Sequence, residues 1–342
     1  MKRTILLFIL TIVAIAAFFI LNLLLGTVRI PMPDVCRILV GDGGENEIWR
    51  NIVMQSRVPQ ALTALMAGAG LAVSGLQMQT VFYNPLAGPS VLGISNGASL
   101  GVACVVLLSG SVGGVTLSRM GYVGDVAISI SAIIGALAVL LLIVVVARHV
   151  RGNVTLLIIG VMIGYLVNAI VGLLKFFAAE EDVKAYVVWG LGSFARVSGD
   201  EMILFVLLMC FLLPLSMLLV KPMNILLLGN EYATNLGLNL RRVQTLIIVS
   251  SGILVAIVTA YCGPIMFIGM SVPHLARGIF RKSDHRVLMP ATMLLGALLA
   301  LVCNLIARLP GFEGALPVNS VTALIGAPIV AWVLMRRDRS SF

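Results

Sequence analysis

The sequence predicts an all-α integral membrane fold of about ten transmembrane helices, with spans 2–5 and 7–10 forming an inverted repeat. Three observations carry that prediction. Of 342 residues, 60% are hydrophobic and only 11% charged, against about 45–50% and about 25% in soluble domains. Ten charge-poor runs approach the roughly 20 apolar residues that a helix needs to cross the hydrocarbon core. A Gly-Pro…Gly-x-Ser string occurs twice, at Gly88 and at Gly263. Soluble, disordered and disulfide-framework classes are excluded.

The first run, 4–25, follows Lys2-Arg3 and is too long and too weakly ended for a cleaved signal, so it reads as a retained helix. No charge occurs from Val58 to Ser118, and the break Asn84-Pro85-Leu86-Ala87-Gly88-Pro89 divides this stretch into 58–82 and 91–109. Runs at 126–147, 154–174 and 202–220 follow. The stretch 243–276 is too long for one helix, and Gly263-Pro264 divides it, leaving a short or broken piece at about 265–280. The last two spans are 287–306 and 318–335, which makes 1–342 one polytopic domain with its longest inner loop at about 221–243.

Orientation follows from the basic residues. With the N-terminus inside, 14 of the 23 Lys and Arg face the cytoplasm, among them Arg151, Arg277 and Arg339. That excess sets both termini inside. The net charge of +9 therefore reads as membrane orientation, with lipid as a partner and no nucleic acid implied. Five scattered cysteines lack metal spacing and read as small buried hydrophobes.

The two repeated strings are Gly88-Pro89-Ser90-Val91-Leu92-Gly93-Ile94-Ser95 and Gly263-Pro264-Ile265-Met266-Phe267-Ile268-Gly269-Met270-Ser271. The first follows span 2 inside and the second follows span 7 outside. Interrupted helices in inverted repeats are transporter architecture. Yet the spans hold almost no ionisable side chains, whereas ion-coupled carriers keep carboxylates or histidines within the membrane. No P-loop, HExxH or paired intramembrane acids occur. The chain is read as no enzyme and as holding no cofactor or metal. A transporter so built takes its energy from a partner.

The loop between spans 6 and 7 is where that energy would enter. Leu228, Tyr232 and Leu236 fall at helical spacing, with Glu231 on another face. Gly237 then permits the reversal between two short helices. Small Ala233 would let a partner surface approach closely. The alternative is a helix lying on lipid headgroups.

Four segments resemble the FecCD-type permeases of ATP-driven importers for iron-siderophores, haem and cobalamin. They are Arg57-Val58-Pro59 leading to Gly68–Gly75; Asn84-Pro85-Leu86-Ala87 with Leu92–Gly97; Leu228-Gly229-Asn230-Glu231-Tyr232-Ala233 with Leu236-Gly237; and Gly263–Gly269 through Val272-Pro273-His274-Leu275-Ala276-Arg277, Asp284-His285-Arg286 and Leu316-Pro317-Val318 to Thr322–Pro328. The resemblance implies a homodimer of permeases in the bacterial inner membrane, two ATP-binding subunits below, and a substrate-binding protein docking outside. ATP would be bound by the partner. It makes an iron chelate, siderophore or haem, the leading substrate and cobalamin the alternative, with an ATP-independent carrier as the reading from another class. It places ATPase coupling at Leu228, Gly229, Glu231, Ala233, Leu236 and Gly237, and binding-protein docking at Arg57 and Arg308. Gln60 stands where the family carries a second arginine. The resemblance makes Asn84 and Leu86 a cytoplasmic gate opposed by Asn153 and Thr155. Gly160 and Gly164 allow either close helix approach or a wide lumen. His274 reads as a structural hydrogen-bonding residue, not a haem ligand.

Overall fold

The computed structural model describes residues 2–26, 28–41, 46–113, 122–150, 152–197, 199–308 and 316–337. Arg151 and Arg339, two of the residues on which the expected orientation rests, lie outside them. Among the described residues every regular element is helical. The α-helices are α1 (Lys2–Leu24), α2 (Met32–Val40), α3 (Glu47–Asn51), α4 (Val58–Phe82), α5 (Ile94–Gly113), α6 (Tyr122–His149), α7 (Asn153–Phe177), α8 (Glu180–Gly190), α9 (Gly199–Met217), α10 (Val220–Leu226), α11 (Asn230–Asn235), α12 (Leu240–Cys262), α13 (Ile268–Phe280), α14 (His285–Ala307) and α15 (Val318–Arg337).

Each of the ten predicted runs falls on one of these helices, but length and apolarity alone do not give ten crossings. Six helices among the described residues reach membrane length, and a seventh is counted if α9 and α10, bent by 46° at their junction, form one span. Helix α13 has only 13 residues because the chain stays extended from Gly263 and turns into the helix at Phe267, whose φ is +68°. The apolar stretches of α5 and α15 are also short.

Helix α4 is the centre of the bundle. Nearly every residue from Pro59 to Phe82 is buried, so it has no solvent-facing stripe, and its polar side chains, among them Gln60, Ser74, Gln77 and Thr80, are buried between helices. Its small residues explain how neighbours come so close. A side chain at Gly68 would strike the backbone of Gly296 on α14, and one at Gly75 would strike Gly269 on α13. Glycine at such contacts lets backbones pack where lipid supplies no hydrophobic drive.

Against α12 the contact is polar. The hydroxyls of Ser74 and Ser251 touch, and each also lies 3.2 Å from the other's carbonyl oxygen. Gln77 Nε2 donates to Ser250 Oγ at 3.0 Å. The two helices are antiparallel: the end of α4 meets the start of α12 through Asn153, which donates to Val81 O at 2.6 Å and accepts from Gln244 at 3.2 Å.

Candidate coupling and gating site

One end of the bundle carries the segment from α10 to the start of α12. Gly229 at φ +95° and Gly237 at φ +84° bracket α11, a backbone region that glycine enters without steric cost. The exit is a Schellman closure: Leu238 N donates to Ala233 O at 3.0 Å and Gly237 N to Thr234 O at 2.9 Å. Between these turns Leu228, Tyr232 and Leu236 stand 57%, 69% and 64% exposed, with Glu231 beside them. Tyr232 on α11, Leu228 just before its N-cap and Leu236 at its C-cap hold three large apolar groups outward in one exposed apolar patch. Ala233 corrects the sequence expectation. It is fully buried, so its small size lets α11 sit on the bundle and does not admit a partner.

Helix α4 ends beneath this segment, and three hydrogen-bond routes join the two. Tyr83 caps α4 at φ +49°; its hydroxyl donates to Leu226 O at 2.7 Å, with Asn230 Oδ1 at 3.0 Å. Partial burial raises its phenol pKa, so it remains a protonated donor. Asn224 on α10 accepts from the backbone N–H of His285, and the far nitrogen of that ring lies 3.0 Å from Thr80 Oγ1. Gln244 on α12 reaches Val81 through Asn153. Asp284 caps α14; the Arg286 N–H and then the Asn224 amide hold its carboxyl below the ordinary range.

The turn directly after Tyr83 is the predicted gate. Asn84 Oδ1 accepts from Leu86 N at 2.9 Å and Asn84 O from Ala87 N at 3.0 Å, an Asx-type closure. His274 Nε2 lies 2.7 Å from Pro85 O, the structural role expected of it. Leu86 is 40% exposed. Asn153 comes to this end as expected, while Thr155, also on the first turn of α7, is exposed. Gly160 and Gly164 are buried against Leu92 and Asn96, so of the two readings open for them the structure has close helix approach.

The opposite end, about 39 Å away along α4, holds Arg57 and Arg308. Arg57 is 1% exposed. Its guanidinium donates to Leu23 O at 2.7 Å, Leu24 O at 2.9 Å and Val28 O, closing the end of α1. Arg308 is half-buried, and both guanidinium groups crowd Gly26. Burial, and then the charge of Arg57, push the Arg308 pKa down to about 10. Neither Arg57 Nε nor Arg308 Nη1 has an acceptor among the described residues. Gln60 is buried, not docked outward: it donates to Asn304 Oδ1 at 3.0 Å, and Asn304 donates to Asn22 at 2.8 Å.

Tyr83, Asn224, Gln244 and His285 were missed by sequence reasoning. Tyr83 left a signal, as a large residue between a helix and Asn-Pro, where the backbone must turn, and His285 stood in the string Asp284-His285-Arg286 of the resemblance without a role of its own. Among the described residues no three His, Cys, Asp or Glu side chains converge to hold a metal.

Comparison with known proteins places this arrangement. The model of the FecCD transport family matches residues 12–336. The vitamin B12 import system permease BtuC of Citrobacter koseri is 36% identical over 86% of this chain and 85% of its own. That of Escherichia coli is 36% identical over 88% and 89%. A solved metal-chelate type ABC transporter in an inward-facing conformation superposes with a TM-score of 0.81 at 28% identity, covering 95% of this chain and 97% of that one. The chain belongs to the FecCD transport family and is an ABC importer permease of the BtuC type.

Proposed function

We propose that the chain passes a metal chelate from an extracytoplasmic binding protein across the bacterial inner membrane, powered by two ATPase subunits seated on residues 221–243. The observation that carries this is the exposed Leu228–Tyr232–Leu236 stripe lying over the end of α4. A helix gripped there moves α4 and the Asn84–Leu86 turn together. Ten crossings with both termini inside accord with the ten helices found on the predicted runs. The antiparallel α4–α12 pair with its reciprocal serines supports the inverted repeat of spans 2–5 and 7–10.

In this reading Asn84, Leu86 and Asn153 form the inner gate, with Thr155 on the exposed side of α7. Arg308 offers a cationic corner for the carboxylates of a binding protein, and Arg57 holds that corner in place. A second copy of the chain completes the path. An iron chelate remains one candidate cargo. The B12 permease relatives favour cobalamin as the second. Reading the ligand retained by the binding protein, then following its capture by the full-length permease with its ATPase, tests the proposal. Retention of a ligand that is no metal chelate would overturn the cargo class.

A further inference from the structure

We infer that Tyr83 is the positioning residue through which the α10–α11 segment sets the gate turn. This rests on the reading of that segment as the ATPase seat and goes beyond it by naming the contact that transmits.

Tyr83 is one of three non-glycine residues with positive φ among those described. Such a conformation costs free energy and persists only where the surroundings over-determine it. Here they do. Its hydroxyl reaches Leu226, the last residue of α10, and Asn230, the first of α11. One phenol thus pins the joint between the two short helices.

On its C-terminal side the next peptide begins the Asn84–Ala87 turn, whose amides close on Asn84 itself. His274 holds Pro85 from α13 on the far side. The turn is therefore fixed by its own internal bonds and by α13, and its link to the moving segment passes through the Tyr83 backbone. The routes through Thr80 and Val81 grip α4 one turn earlier; they hold the helix without setting the rotation at its end. A shift of α10 against α11 must break the Tyr83 hydroxyl contact or swing the phenol, and the strained backbone converts that swing into rotation at Asn84.

The test uses the full chain with its ATPase in lipid nanodiscs and follows backbone amide exchange with and without a non-hydrolysable ATP analogue. Two regions are read, 224–236 and the amides of Asn84, Leu86, Ala87 and Gly88. In the wild-type chain nucleotide should alter both. In Tyr83→Phe, which removes only the hydroxyl, ATPase retention and the response at 224–236 should persist, while the response at 84–88 falls at least threefold. Asn230→Ala added to Tyr83→Phe should reduce it no further. A Tyr83→Phe chain whose 84–88 amides respond as in the wild type would overturn the inference. So would one that loses its ATPase, since the hydroxyl would then shape the seat and transmit nothing. A wild-type chain that retained no ATPase would overturn the functional reading itself.

Discussion

Ser74 and Ser251 meet at the centre of the bundle, each hydroxyl 3.2 Å from the other's backbone carbonyl. The pair ties α4 to α12, two antiparallel helices, and each serine is followed by a glycine. Interhelical hydrogen bonds within membranes are modest, about 0.6 kcal/mol on average. Ser74→Ala and Ser251→Ala should each cost about that much. The double variant should cost clearly less than the sum, because the hydroxyls serve one another. Denaturant titration of the purified chain checks this, and strict additivity would contradict a shared contact.

Close backbone approach gives a sharper contrast. Gly75→Ala places a methyl group inside the Gly269 carbonyl. Overpacking of this kind costs about 1–3 kcal/mol, and the yield of monodisperse protein should fall. Gly278→Ala, also in a helix and facing open space, should leave the yield unchanged. Size-exclusion profiles after extraction decide between them.

The two arginines should separate. Arg57→Ala removes donors from Leu23, Leu24 and Val28. Losing a buried charged hydrogen-bonding group costs about 1.5–3 kcal/mol, so stability falls first, by thermal unfolding. Arg308→Glu should preserve stability, weaken capture of the binding protein and alter its salt dependence, since rim charges act mainly on encounter rate and register. Normal capture at low salt would contradict the docking role of Arg308.

The exposed stripe is the seat of the ATPase in this account. Leu228→Glu with Leu236→Glu should leave an inserted, monodisperse permease that loses its ATPase on purification. Interface anchors typically contribute about 2 kcal/mol or more. Ala233→Leu should instead lower stability, because that position is buried.

Much of this was legible before the structure. The end of α4 follows from Asn84-Pro85 just beyond it, where proline chemistry disfavours continuation. Its start does not, because the chain is helical from Glu47 onward, through a π-helical turn at Ile52–Arg57 that runs straight into Val58 and Pro59. The start of α13 was placed three residues early, since Phe267 adopts a positive φ that no residue-type rule assigns to phenylalanine. Ala233 was misplaced because three apolar residues fix one face of a helix but leave a small residue free to lie under either. Arg57 read as a surface cation because its acceptors lie about 30 positions earlier in the chain, a pairing that only tertiary structure creates. Leu226 and Asn230, which receive Tyr83, are still more remote, 143 and 147 positions away in sequence.

The central claim is that this chain transports only when a separate ATPase drives it through residues 221–243. Uptake of the chelate into proteoliposomes, with binding protein outside and ATPase and ATP enclosed, tests it most directly. The account predicts uptake that requires both ATP and the ATPase and is abolished by Leu228→Glu with Leu236→Glu. Uptake at the same rate without any ATPase would contradict it.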